Sequence, residues 1–279
     1  MHFGSYIICY IFFKLFGKKC AMNLNKDIYL IDIFFQANKI IENSTFEDIS
    51  FFPGLYEALK KSGKTFAFIP RVVDTEKNPL KFLKFIRILS RDNKYNYLFE
   101  FELVTLYDLL KILGFILIYP IRQFELLQKE NSEIDKNFNY ELFQSLPNTS
   151  FEGYKRYLVG KRISKRFTKN VIIISWQEFQ NLEKSFNRAI KESSNKIFIY
   201  GCEFLIKYEN YLSMHITDTD VDLKITPHLT LLNGLNNFSN SHKHNFKIGV
   251  ALRYKNIFRD ITNINESESY LALLSYGVK

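Results

Sequence analysis

The chain has 279 residues, 47% hydrophobic and 24% charged. That is the balance of a globular protein with a real core, and it excludes a disordered or fibrous chain. The formal charge of +9, from 38 basic and 29 acidic residues, suits a phosphate-bearing substrate, an anionic membrane surface, or simply dispersed surface lysine. No basic run interleaved with aromatics forms a recognisable nucleic-acid module, so nucleic acid is not an expected partner. Cys9, Cys20 and Cys202 have neither metal-ligand spacing nor a paired framework, which fits a reduced, cytoplasmic setting. His242-Lys243-His244 lacks neighbouring cysteine or carboxylate ligands and reads as a polar loop, so no metal is expected.

Residues 1–21 stand apart. Tyr6 to Phe16 is apolar but broken by Lys14, too short to span a bilayer, and without the basic start and cleavage site of a signal peptide. The stretch reads as an upstream extension before a start at Met22, or as a short interfacial anchor. Ile28–Phe34 is the first core strand. Phe52–Gly63 is a helix, with Pro53 in its first turn and Gly63 at its end. Thr65–Pro70 is a strand closed by proline. Pro79–Leu89 is a helix with Leu80, Leu83, Phe85 and Ile86 inward, and Asn96–Phe101 is a strand. Short strands alternating with helices predict an α/β fold, a doubly wound Rossmann-like sheet with flanking helices.

Leu103–Leu127 is the most hydrophobic internal stretch, interrupted by Asp108, Lys111, Arg122 and Glu125 and broken by Pro120. It reads as a buried helix pair or as a peripheral helix facing a membrane. Gln128–Asn137 is a polar surface linker, and Asn139–Leu146 is helical. Phe151–Phe167 is a helix carrying Lys155, Arg156, Lys161, Arg162, Lys165 and Arg166; that basic face meets phosphates or solvent.

The centre of the chain is Val171–Gln180. Four β-branched residues make a strand buried on both faces, ending at Trp176, the only tryptophan. A helix follows from Leu182, with Phe186, Ala189 and Ile190 on its apolar face and Glu183, Asn187 and Lys191 elsewhere. Trp-Gln-Glu-Phe-Gln therefore sits at the carboxyl end of a strand, where open α/β sheets bind ligands. Lys196–Tyr200 ends likewise in Gly201-Cys202-Glu203, and Pro227–Leu232 in Asn233-Gly234. If the strands are parallel neighbours, all three turns share one edge, and the glycines let a ligand approach backbone. Phe246–Tyr254 follows, and Ser269–Ser275 looks like the opening strand of another sheet.

Phe52-Pro53 and Leu55, Ile69-Pro70-Arg71, Trp176-x-Glu178-x-Gln180 with Lys184, Tyr200-Gly201, Pro227 with Asn233-Gly234, and Ala251-Leu252-Arg253-Tyr254 together form an order that resembles a known family. It is similar to bacterial surface-carbohydrate biosynthesis proteins of O-antigen (lipopolysaccharide) clusters, which look like glycosyltransferases built from two Rossmann domains (GT-B). The resemblance covers their amino-terminal part. It implies an acceptor-side domain over residues 22–268 and the first strand of a truncated second domain over 269–279. In the family pattern the central motif is Trp-aromatic-Glu-Asn-Gln. Gln177 and Phe179 depart from it, and the second change removes a polar side chain. The resemblance implies a nucleotide-sugar donor held by a second domain, and a sugar or lipid-linked acceptor facing this one.

On that reading Glu178 is the general base for the acceptor hydroxyl, its pKa raised by partial burial beside Trp176, with Glu203 the alternative. Gln180 binds sugar hydroxyls and Trp176 stacks on a sugar face or lies in the core. Lys184 or Arg188 meets a phosphate at the helix N-terminus, beside Gly201, Asn233 and Gly234. A plain helix-terminal carboxylate is the structural reading of Glu178. No Gly-rich phosphate loop is present, so no cofactor is expected. The competing function is a non-catalytic peripheral module on the inner face of the cytoplasmic membrane, docking through 103–127 and the basic helix. The last alternative is a degenerate, inactive product.

Overall fold

The computed structural model describes residues 3–22, 28–47, 51–75, 78–129, 133–167, 169–177, 180–202, 221–226 and 246–248. The helices are α1 (Phe3–Phe16), α2 (Ala37–Asn43), α3 (Leu55–Lys61), α4 (Pro79–Arg91), α5 (Glu100–Leu103), α6 (Leu106–Lys129), α7 (Glu133–Arg166) and α8 (Asn181–Ser193). The strands are β1 (Ile28–Gln36), β2 (Thr65–Val73), β3 (Val171–Trp176), β4 (Ile197–Cys202), β5 (Leu223–Thr226) and β6 (Phe246–Ile248). They form one parallel sheet in the order β2-β1-β3-β4-β5-β6. The fold is thus α/β, with helices flanking a parallel sheet. The chain reverses its direction of travel across the sheet between β1 and β3. Such a switch point opens a crevice outside the carboxyl ends of its strands.

Period-two alternation sorts the central side chains. Leu30 and Asp32 of β1 share a face with Ile173 and Ser175 of β3, because Leu30 pairs with Ile173 and Asp32 with Ser175. That face lies under α7 and α8. On the opposite face Phe35 stacks on Phe46 with ring centres 4.1 Å apart, and Phe68 meets both rings edge-on. Tyr95 and Tyr97 extend this cluster beyond the edge strand.

Several boundaries differ from the sequence expectation, each for a local reason. β2 continues past Pro70 to Val73, because on an edge strand the missing N–H costs no ladder bond. Asn96–Phe101 is not a strand: only Tyr97 bridges to Phe68, and the backbone turns into α5 at Glu100. α3 starts only at Leu55, since Gly54 holds a left-handed φ of 87°; Gly63, φ 66°, does close the turn after it. Leu80 points outward, and Phe82, Phe85, Ile86 and Leu89 form the buried face of α4. Gln128 and Lys129 belong to α6 and residues 133–137 to α7, which runs unbroken past Pro147. Gly201 lies within β4 and not after it. β5 and β6 cover Leu223–Thr226 and Phe246–Ile248, and Glu203, Pro227–Leu232, Asn233-Gly234 and 269–279 lie outside the described residues.

Residues 1–21 contain α1, and its inner face is packed into the core. Tyr6, Cys9, Tyr10 and Phe13 are buried. The Tyr6 ring lies 5.0 Å from Phe101 and 6.0 Å from Phe151, and Phe13 lies 5.3 Å from Phe99.

α7 and α8 approach closely at Gly160. A Cβ there would sit 2.7 Å from the Phe186 carbonyl oxygen and 2.9 Å from the Ala189 Cβ. Gly160→Ala is therefore expected to destabilise the protein by about 1–3 kcal/mol through overpacking. Gly114→Ala, with nothing within 4 Å of the new methyl, should instead stabilise α6 by up to about 1 kcal/mol. Urea unfolding of the two variants checks the contrast; equal midpoints would mean that α7 and α8 are free to move apart.

Candidate functional site at the carboxyl edge of the sheet

The polar centre of the molecule lies where the β1–β3 pairing ends, at Asp32 in the middle of β1 and Ser175 near the end of β3. Asp32 is fully buried. Its carboxylate accepts two bonds from Arg156 Nη2, at 3.0 and 2.9 Å, and one from Ser175 Oγ at 2.9 Å. Arg156 reaches it from α7 with its guanidinium 4.1 Å from the Phe186 ring centre. Arg71, one residue past Pro70 on β2, holds its guanidinium carbon over Phe34, 4.1 Å from the ring centre. It donates to the Trp176 carbonyl at 2.7 Å, to the Asp32 carbonyl at 3.3 Å and to Glu183 Oε1 at 2.5 Å. Its Nε sits 3.5 Å from Asp32 Oδ1 and makes no hydrogen bond. The chain of bonds continues outward: Gln177 Nε2 donates to Ser175 Oγ at 2.8 Å, and Asn187 Nδ2 to Gln177 Oε1 at 3.2 Å.

Glu183 and Asn187 were expected to point away from the sheet, but both are buried. The reason is the start of α8. Gln180 is its N-cap, and Glu183 closes a capping box by accepting the Gln180 N–H at 2.9 Å. The second Glu183 oxygen is then directed at Arg71. Burial pushes the Glu183 carboxyl above its ordinary range, against the pull of Arg71.

Beside this network is a cavity of about 140 Å³, walled by Phe34, Phe82 and Phe101 and lined by Arg71, Arg156, Lys155, Glu100 and Glu152. Lys155 Nζ lies 3.4 Å from Glu100 and 2.5 Å from Glu152. Burial raises the Glu100 carboxyl above its usual range, with Lys155 opposing. For Lys155 burial acts downward, and the two glutamates outweigh it and hold the ammonium charged.

The basic helix was expected to present its cations to phosphates or solvent. Four of them turn inward instead: Lys155 and Arg156 as described, Arg162 to Asp108, and Arg166 to Glu102. Asp108 also closes the start of α6, accepting from the N–H and hydroxyl of Thr105. Burial favours its protonated form, but the hydrogen bonds from Arg162 and Thr105 outweigh that and lower its pKa. A lowered carboxyl stabilises the fold at neutral pH and loses that contribution as pH falls below its ordinary value. The stability gap between wild type and Asp108→Asn should therefore be constant from pH 7 to about 4 and shrink below it. Denaturation midpoints over that range test it, and a gap that widens in acid contradicts it.

The residues singled out from the sequence separate. Trp176 ends β3 with its ring buried edge-on to Phe51 at 5.0 Å. Gln180 is exposed at the helix cap, and Lys184 is half-buried one turn on. Gly201 pairs with Ser175 in the sheet. Arg188 is not with them: it is exposed, bound to Glu192 at 2.7 Å, on an open groove between α7 and α8 with Tyr154 and Tyr157. Glu178 lies outside the described residues. Missed altogether were Asp32, Arg156, Glu100, Glu152 and Lys155 as one cluster. The available signal was Asp32 itself, a charge inside an apolar strand.

No group of three or more potential metal ligands occurs among the described residues, and no helix among them is long and apolar enough to cross a membrane. Comparison with family models, with curated proteins and with solved structures gave no match.

Proposed function

We propose that this chain is a GT-B-like, acceptor-side domain of a glycosyltransferase-like protein in bacterial surface-polysaccharide assembly. The observation that carries the reading is the buried polar network at the β1–β3 switch point with the cavity beside it at the carboxyl ends of β1 and β2, the region where parallel α/β sheets bind their ligands. The sequence motifs that resemble the family end at the same edge: Arg71, Trp176 and Gln180 all border it. A carboxylate there, Glu178 by motif, takes the acceptor hydroxyl proton. The donor nucleotide comes from a second domain or partner chain.

Saturation-transfer NMR of the chain with oligosaccharides from bacterial surface polymers tests this reading. Binding at millimolar or better affinity is expected. Glu178→Gln should leave that affinity within about two-fold while lowering any transfer by about 10²–10⁴. A chain that binds none of these glycans is not an acceptor domain.

A second reading, a peripheral module on the inner face of the cytoplasmic membrane, is favoured by one feature of α6. Leu106, Tyr107, Leu110, Leu113, Leu117, Ile118 and Ile121 are all exposed along it. Positions 106, 110, 113, 117 and 121 follow helical spacing and make a single stripe. Lys111 and Arg122 flank the stripe, the exposed Glu125 follows its last residue by one turn, and Asp108 is turned away and buried against Arg162. Such a face, basic at its border, fits an anionic bilayer.

A further inference from the structure

We infer that the cavity between α4, α5, α7 and the β1–β2 edge is a binding site for a neutral, polyhydroxylated ring, held by Arg71, Arg156, Lys155, Glu100 and Glu152. The inference rests on the acceptor-domain reading and names the part of the ligand that reads the chain.

Size comes first. The cavity measures about 140 Å³, and an apolar cavity of about 150 Å³ takes one benzene ring. One six-membered ring fits, with its outer substituents at the mouth. A disaccharide or a nucleotide does not fit inside.

Charge comes second. Arg71 and Arg156 are matched by Glu183 and Asp32, and Lys155 by Glu152 and Glu100. Each of these charged groups therefore already has an opposite charge beside it. An anionic guest meets Glu100 and Glu152; a cationic guest meets Lys155 and two guanidiniums. A neutral guest adds no unpaired charge to a buried site.

Bonding comes third. The lining offers strong donors and strong acceptors side by side, and only a group that both accepts and donates uses them together. Adjacent hydroxyls do so. The Phe82 and Phe101 walls supply apolar surface for the ring face.

Calorimetric titration of the full chain with methyl hexosides and inositol tests the site, with inorganic phosphate and ethanolamine as charged probes. At least one neutral probe should bind. Glu152→Gln, at the most accessible of the charged groups, should weaken it about ten-fold. Val73→Phe, which adds a ring at a lining position that takes part in no ion pair, should abolish it, with circular dichroism confirming the fold. Unchanged binding in Val73→Phe overturns the site, as does binding of phosphate or ethanolamine in place of the neutral probes. Oligosaccharides that still bind Val73→Phe would remove this site and leave the acceptor-domain reading standing. A neutral ring that binds here, with no oligosaccharide bound, would do the reverse. No saccharide or polyol bound at all would remove both.

Discussion

Replacing Asp32 with alanine is expected to destabilise the protein by about 3–5 kcal/mol, the range for breaking one side of a buried ion pair. Asp32 is wholly buried and accepts from Arg156 and Ser175. Its loss leaves Arg156 without its carboxylate and Arg71 with Glu183 alone. Thermal unfolding reads the effect directly: about 2–4 °C per kcal/mol at this chain length gives a fall of roughly 6–20 °C. Combining Asp32→Leu with Arg156→Met should recover part of the loss, because removing both charges also removes their desolvation cost. A fall under about 3 °C for the single variant would show that water reaches the network.

Replacing Leu110 and Leu117 with glutamate should lower binding to anionic vesicles by at least about 100-fold, since each leucine contributes about 1.5–3 kcal/mol when fully buried. These side chains are 65% and 61% exposed, so the thermal midpoint should barely move. Wild-type binding should weaken as salt rises, because the flanking Lys111 and Arg122 act through screened electrostatics. Flotation with phosphatidylserine vesicles measures both. A wild-type chain that stays at the bottom of the gradient refutes the membrane reading. A double variant that changes only its oligomeric state assigns the stripe to a second copy.

The fold was legible wherever the chain announces itself locally. Val171–Ile174 is a run of β-branched residues that has few alternatives to a central strand. Asn78-Pro79 opens a helix with its own cap, the Asn78 side chain accepting from the Lys81 N–H. The cleft was not legible, because its bonds join distant positions. Asp32 meets Arg156 across 124 residues, and Arg71 meets Glu183 across 112. Nothing near Asp32 in sequence tells a reader which cation will face it. Glu183 misled for a different reason. Period alone assigns it to a solvent face, but the capping box turns the first helical turn so that its carboxylate faces Arg71. The basic helix misled in the same way: its charge was plain, and its partners lay on α5, α6 and β1.

α1 carries a consequence for synthesis. Tyr6 and Phe13 fit against Phe99, Phe101 and Phe151, all of which are translated well after it. Until they emerge, an aromatic helix waits in solution without its socket, a natural client for a nascent-chain chaperone. The helix is thus made long before it can lock.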